Sequence, residues 1–335
     1  MIDISALVDL AAERVGGCAT HTNDEFFAAK ENLLKPGRGV FIEDRYTDRG
    51  KWMDGWESRR RREPGHDWCI IRLGMPGAIH RLVVDTNHFR GNHPEACSVD
   101  ACSVPEGAGD DPDQLEAHWE EILPKSGLEG HAENTFEVDG AARYTHVRLH
   151  IYPDGGVARL RVMGQVLPDW AQLAATGAPI DLMGAQNGGT ALACSDRFFS
   201  DPANLTMPGR SKSMGDGWES RRRRGAGHDW AVLQLGHRGL IEEIEVDTNH
   251  FKGNYPESCS LEGCDLSEDT PGPHDWEASE PGWREILPRT RLEGHTQHRF
   301  ASEIVAAGPF THVRLNMYPD GGISRLRVLG RVEAD

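Results

Sequence analysis

Apolar and polar residues alternate with a period of two in several short stretches of this chain, most clearly where distant stretches are laid over each other. Cys69, Ile71 and Leu73 correspond to Ala231, Leu233 and Leu235, whereas Arg72 corresponds to Gln234. Leu82 and Val84 correspond to Ile244 and Val246, and Val83 between them is exchanged for Glu245. Val147, Leu149 and Ile151, matched by Val313, Leu315 and Met317, leave His146, Arg148 and His150 pointing the other way. Leu160 and Val162, matched by Leu326 and Val328, alternate with Arg159 and Arg161 or Arg325 and Arg327. Successive strand side chains point to opposite faces, so each stretch reads as a strand with one face in a core and these arginines outward. The YPDGG turn at Tyr152–Gly156 and Tyr318–Gly322 joins two such strands, since Asp-Gly and Gly-Gly supply the positive φ of tight hairpins.

The correspondences belong to an internal repeat. Asp54–Arg62 and Asp216–Arg224 both read DGWESRRRR, and GHDW follows in each copy at Gly65–Trp68 and Gly227–Trp230. VDTNHF recurs at Val84–Phe89 and Val246–Phe251, LEGH at Leu128–His131 and Leu292–His295, and THVRL at Thr145–Leu149 and Thr311–Leu315. The offset is 162 at DGWE, 164 at LEGH and 166 at THVRL, a drift that small loop insertions explain, while upstream Asn32 and Leu33 recur 172 residues later as Asn204 and Leu205. Two copies of this length read as two self-sufficient domains rather than a solenoid. The expected organisation is a helical segment at 1–15, where Ile4, Leu7, Val8, Ala11 and Val15 recur at helical spacing, then a first repeat at 16–164, a linker at 165–189 and a second repeat at 190–331.

One-face-polar strands separated by long Gly, Pro and Asp loops make an all-β chain of two tandem β-sandwiches. The missing long helices argue against a doubly wound fold or a TIM barrel. A first half carrying DG and W before a strand that ends in LG, with a last strand RLRV-x-G, resembles the galactose-binding-like jelly roll.

Bulk properties narrow the function. The chain has 335 residues, a formal net charge of −17, 38 Gly and 19 Pro. Such a negative balance disfavours nucleic acid as a partner, because phosphates are bound chiefly by Lys and Arg. No stretch approaches a membrane span, and Met1–Ser5 lacks the basic and apolar regions of a signal peptide, so no membrane partner is expected and the cytoplasm is the expected compartment. Seven cysteines, an odd number, suit a reducing environment. Cys97 with Cys102, and Cys259 with Cys264, read as small buried thiols and lack the spacing of a zinc site. Metal, phosphate-loop, dinucleotide and nucleophile-elbow signatures are absent, so neither cofactor nor metal is expected.

The longest identical stretches are polar, which core packing does not require. Arg59 and Arg61, with Arg221 and Arg223, either hold a small anion or ureido oxygen or form an ion-pair web with Glu57, Asp67 and their equivalents, including Glu219. Trp56 and Trp218 read as packing residues. His66 beside Asp67, and His228 beside Asp229, offer proton transfer near neutral pH or simply shape the loop. Asp85 with Asn87, and Asp247 with Asn249, share one strand face, while His88 and His250 are rim histidines or pocket residues. Glu95 and Glu257 end a repeated GN-x-PE turn and are further acid or base candidates; His131 and His295 recur in LEGH without a spaced carboxylate set.

At DGWESRRRR, GHDW, VDTNHF-[RK]-GN and YPDGG, in order and twice, nearly the whole chain resembles the allantoicase family. The resemblance implies hydrolysis of allantoate to ureidoglycolate and urea, paired jelly-roll modules and homo-oligomeric assembly. On chemical grounds an arginine would hold the allantoate carboxylate, and Asp85 and Asn87 could read its ureido groups. A histidine paired with Glu or Asp could protonate the leaving nitrogen and activate water, without a nucleophilic Ser or Cys. His93 becomes Tyr255 and Asn134 becomes His298, so sites within each repeat would differ; a site shared at an interface would explain retention of both motif sets. A non-catalytic carbohydrate or small-anion binding module, an interaction protein, and a hydrolase of a related ureido acid remain open at this point.

Overall fold

A computed structural model describes residues 7–105, 117–139, 142–266, 276 and 282–333. The chain divides into two compact units, Met1–Pro168 and Asp169–Asp335. In the first unit the strands are β1 (Val8–Asp9), β2 (Cys18–Thr22), β3 (Tyr46–Thr47), β4 (Gly50–Lys51), β5 (Trp56–Glu57), β6 (Asp67–Asp85), β7 (Ala96–Cys102), β8 (Glu120–Gly127), β9 (Glu133–Glu137), β10 (Tyr144–Tyr152), β11 (Gly156–Val157) and β12 (Arg159–Val166). The stretches around Cys69 and Val84 prove to be two halves of the single strand β6, 19 residues long.

β6 explains the architecture. Its first half pairs antiparallel with β2 and β10, and β7 and β8 extend that leaf beyond β10. Its second half pairs with β9 and β12, and β1 lies outside β12. One strand thus serves two leaves of a jelly-roll sandwich, and the alternating apolar sets meet between them: Ile71, Leu82, Val84, Val99, Leu149, Leu160 and Val162 are fully buried. Removing apolar area from water at about 25 cal/mol per Å² is what holds such leaves together.

The second unit repeats the plan with α1 (Trp170–Ala175), β13 (Ile180–Asp181), β14 (Thr190–Cys194), β15 (Trp218–Glu219), β16 (Asp229–Asp247), β17 (Ser258–Cys264), β18 (Arg284–Arg291), β19 (Gln297–Phe300), β20 (Phe310–Tyr318), β21 (Gly322–Ile323) and β22 (Arg325–Val332). β16 takes the part of β6, and Leu233, Ile244, Leu261, Leu315 and Val328 form one core cluster. All seven cysteines are free; burial pushes the Cys97 and Cys259 thiols up to about 12, so they pack as small apolar groups. Among the described residues no helix is long and apolar enough to cross a membrane.

Three expectations need correction. The helical spacing at the N-terminus does not make a helix over the described residues: Val8–Asp9 pairs with β12 and Glu13–Val15 is a single 3-10 turn, Ile4 lying outside the described residues. Leu10 and Ala11 instead close the sandwich edge, fully buried. The segment 165–189 is not a plain linker, for β12 runs to Val166 and α1, β13 and a 3-10 turn at Ala185–Asn187 occupy about half of the remainder. The arginines of the last strand do not face solvent. Arg159 is 3% exposed, donating to the Asp54 carboxylate at 2.7 Å, and Arg161 donates to the carbonyls of Lys35 and Gly37, because the loop before β5 lies over that face. Arg325 and Arg327 do likewise in the second unit with Asp216 and the Met207 and Gly209 carbonyls. His146 and His150, on the outer face of β10, are buried as well.

Phe89 ties the strand ends to the YPDGG turn. Its ring is fully buried, and a Cβ on Gly156 would lie 2.0 Å from its Cε1. The second glycine of that turn is required by contact, not by dihedral freedom, whereas Gly155 before it adopts φ 139°. Gly156→Ala should therefore overpack this joint and lower stability by about 1–3 kcal/mol. Chemical denaturation checks this, and an unchanged midpoint would contradict the packing account.

Candidate functional site

The C-terminal end of β6 shows what the repeated VDTNHF segment does. Asp85 accepts two hydrogen bonds from Arg38, at 3.0 and 2.9 Å, and the backbone N–H of Asn87 at 2.9 Å. Thr86 Oγ1 donates to the Glu129 carbonyl at 2.6 Å and accepts from Ala132 N–H, clamping the LEGH loop. Asn87 Nδ2 donates to the Gly39 carbonyl at 2.8 Å. In the second unit Asp247 holds Arg210, Thr248 holds Glu293 and Thr296, and Asn249 holds Ser211 in the same way. Asp85, Asn87, Asp247 and Asn249, read from the sequence as substrate-binding, are thus buried and engaged within the chain, bracing loops.

The arginine clusters follow suit. Arg59 pairs with Asp24 at 2.6 Å and Arg61 with Asp67 at 2.6 Å; Arg221 pairs with Asp196 at 3.1 Å and Arg223 with Asp229. The Arg61 and Arg223 backbone N–H groups each donate to the aspartate of a YPDGG turn, Asp154 or Asp320. Trp56 and Trp218 are fully buried, their indole N–H groups donating to the carbonyls of Asp24 and Asp196. Each of Arg59, Arg61, Arg221 and Arg223 thus has a carboxylate partner in its own unit, with Arg59 and Arg221 remaining largely exposed.

His66 and Asp67 point apart, as do His228 and Asp229. Asp67 and Asp229 are 1% exposed and held by the arginines. His66 Nε2 lies 2.9 Å from His150 Nδ1, and His150 Nε2 lies 2.9 Å from Asp100 Oδ2. A carboxylate only accepts, so His150 donates through Nε2 and receives the His66 N–H at Nδ1. Burial lowers the His66 pKa, and His150 and Arg61 lower it further. Burial would raise Asp100, but the hydrogen bonds from His150 and Arg148 outweigh it and hold that carboxyl below the usual range. In the second unit the row is His228, Asn316 and Glu262.

A cleft of about 340 Å³ opens in the first unit, at the small end of the roughly 300–1,000 Å³ typical of ligand sites. Its polar lining is Lys51, Glu57, His88, Arg90 and Asn92, with Phe27, Phe41, Met53 and Gly91 completing the wall. Glu57 sits on the short strand β5 and accepts a hydrogen bond from Asn92 Nδ2 at 2.8 Å. Burial raises its pKa, only partly offset by that bond. His88 has φ 67° and His131 φ 57°, conformations that branched or bulky residues seldom hold. The His88 backbone N–H donates to His131 Nδ1 at 2.9 Å, fixing both turns. The His131 pKa is lowered, by desolvation and then by Arg90 and His88. Among the described residues no group of three or more His, Cys, Asp or Glu is arranged to hold a metal ion.

Of the candidates, the structure thus brings Glu57 and His88 to one cleft. Glu219 is bonded to Asn254 at 2.5 Å, and His250 Nε2 to the Ser211 carbonyl at 2.9 Å. Glu95 is exposed, and Glu257 is tied to Arg289, Arg291 and Ser258, its pKa lowered by Ser258 and the arginines. The sequence differences at Asn134 and His298 turn out to be equivalent, each bonding the backbone at Val84 or Val246 and accepting from Glu129 or Glu293.

A family model of the allantoicase repeat matches this chain twice, over residues 8–167 and 180–333. The chain belongs to the allantoicase family. The probable allantoicase of Pseudomonas aeruginosa (strain UCBPP-PA14) is 49% identical over 323 residues, covering 96% of this chain and 95% of its own length. Probable allantoicase 1 of Burkholderia mallei is 46% identical over 326 residues, covering 97% and 95%. The crystal structure of allantoicase from Saccharomyces cerevisiae matches with a TM-score of 0.76 at 34% identity, over 97% of this chain and 93% of that one. The tandem jelly-roll fold is therefore that of solved allantoicases.

Sequence reasoning missed Lys51, Phe41 and Arg90 in this allantoicase-family chain, and left Asn92 without a role. The signal for the first two was the change in offset: Asn32 and Asn204 are 172 apart but Asp54 and Asp216 only 162, so the first copy holds ten additional residues between them.

The raised Glu57 pKa has a signature in stability. A carboxyl whose folded pKa exceeds its unfolded one costs nothing at acid pH, where both states are protonated. As pH rises from the unfolded value through the folded one, that part of the stability is lost. Glu57→Gln should therefore match the parent at acid pH and exceed it in stability at neutral pH. Thermal melts across that range check this; a variant less stable at neutral pH would contradict it.

Proposed function

We propose that this chain hydrolyses allantoate to ureidoglycolate and urea, and that the cleft of the first unit is where it does so. The observation that carries the site is Glu57, a carboxyl raised by burial in a cleft that also presents Lys51, Arg90, His88 and Asn92. Allantoate is an anion whose α-carbon bears two ureido groups. Lys51 and Arg90 supply positive charge for its carboxylate, offsetting locally the chain's net charge of −17.

Urea leaves when the C–N bond breaks and the electron pair moves to nitrogen, which must take up a proton. Water supplies the hydroxyl that replaces it on carbon and must give a proton up, whether it adds directly or after an acylimine forms. Glu57, whose pKa burial raises, is in its protonated form the group suited to give the first proton. His88 is the group suited to take the second, and Asn92 holds the Glu57 carboxyl in place. Solvent returns the proton from His88 to Glu57, so atoms and charge balance.

Purified protein should release urea from allantoate and not from allantoin; no release would remove the assignment. Glu57→Gln should lower kcat by about 10²–10⁴-fold, the usual worth of a general acid. Because the acid must be protonated, activity should fall as pH rises through the Glu57 pKa. Asn92→Asp, placing a second carboxylate beside Glu57, should raise that pKa and move the alkaline limb upward. A limb that stays put would exclude Glu57 as its origin. Homo-oligomeric assembly is part of the same reading, supported by Phe198 and Phe199 at 61% and 60% exposure; a monomer in sedimentation would remove it.

A further inference from the structure

The two repeats share Glu57/Glu219, His88/His250 and Asn92/Asn254, yet their surroundings have parted at one place. Arg38 and Arg210 occupy equivalent positions on Asp85 and Asp247, and Gly39 and Ser211 are equivalent acceptors for Asn87 and Asn249. Between these points and Asp54 or Asp216 the first copy has residues 40–53, the second only 212–215. The additional residues therefore leave the chain directly beside His88.

They carry the β3–β4 hairpin. Phe41 stacks on the His88 ring, with centroids 5.5 Å apart and planes at 30°. Lys51 Nζ lies 4.5 Å from the centre of the Phe41 ring, and Arg49 donates to the Phe26 carbonyl at 2.8 Å. Phe41, Lys51 and Met53 form one side of the cleft. Phe27 is half-buried there, while its counterpart Phe199 is 60% exposed. The His88 ring nitrogens make no hydrogen bond to a described residue, whereas His250 Nε2 is occupied by the Ser211 carbonyl.

From this we infer that only the first repeat is catalytic: the 40–53 insertion builds its allantoate cleft, with Lys51 as the repeat-specific carboxylate ligand, and the second repeat is a non-catalytic copy. The inference rests on the cleft reading above. A hairpin that stacks on His88 holds the imidazole against the cleft with its nitrogens available, and the ammonium on Phe41 adds a cation to the cleft wall. The second copy keeps the shared scaffold, since its polar segments are needed to fold it, while its histidine is capped.

Paired variants test it in the full-length protein. Glu57→Gln should lower kcat by at least about 10²-fold, whereas Glu219→Gln and His250→Asn should each stay within about twofold of the parent. Both second-repeat changes keep shape, and Asn tolerates the positive φ at 250, so folding is preserved and melts verify it. Lys51→Ala should raise KM about tenfold or more with a smaller change in kcat, as expected for loss of a charged contact to bound substrate. If Glu57→Gln and Glu219→Gln each remove part of the turnover, the cleft reading survives and the asymmetry is overturned. If Glu219→Gln or His250→Asn alone abolishes activity, the asymmetry is likewise overturned. If neither glutamate matters, the cleft reading itself has failed, and the inference with it.

Discussion

Asp85 is 3% exposed, and a carboxylate so placed must find its partners inside the protein. It finds them in Arg38 and in the Asn87 backbone. That one requirement fixes the mouth of the first sandwich. Arg38 brings in the loop that covers β12, Asn87 then reaches Gly39, and Thr86 clamps LEGH. His88 is left in a left-handed conformation with His131 against its N–H. Phe89 packs into the space that Gly156 leaves open. These loops form the base on which Phe41, Lys51 and Met53 complete the cleft.

The same constraint operates in the second unit through Asp247 and Arg210. This is why long polar stretches recur with so little change: they satisfy buried donors and acceptors at the sandwich mouth, and each loss would leave an unpaired group at a cost of about 1–3 kcal/mol. Repetition of a polar motif is thus compatible with scaffolding, and chemistry attaches to the places where scaffold and opening coincide. Glu57 and His88 meet that condition. Asp67 and Asp85 do not, because their carboxylates are buried and paired within the fold.

Much of the fold was legible because strand alternation shows in the superposed repeats: Val83 against Glu245 reveals the outer face of β6, and Leu149 against Leu315 the inner face of β10. What escaped was the covering of outer faces by loops. Arg159 looks like a solvent-facing strand residue until Asp54 is brought over it from 105 positions away in the chain, and no local pattern encodes that. The N-terminal apolar spacing misled for a related reason, since Leu10 and Ala11 are buried by the edge of the sandwich and not by a helical stripe. For the site, residue type found Glu57 and His88, but the cleft that both line selected them from the other candidates. Lys51 and Phe41 lie in a segment with no counterpart to superpose, so the repeat logic passed over them.

The most direct test of this account is a crystal structure of the Glu57→Gln protein with allantoate bound. The account predicts substrate density in the first unit's cleft, its carboxylate against Arg90 and Lys51 and a ureido nitrogen facing residue 57. Density at the Arg59–Arg61 strap, or at residue 219 with the first cleft empty, would contradict it.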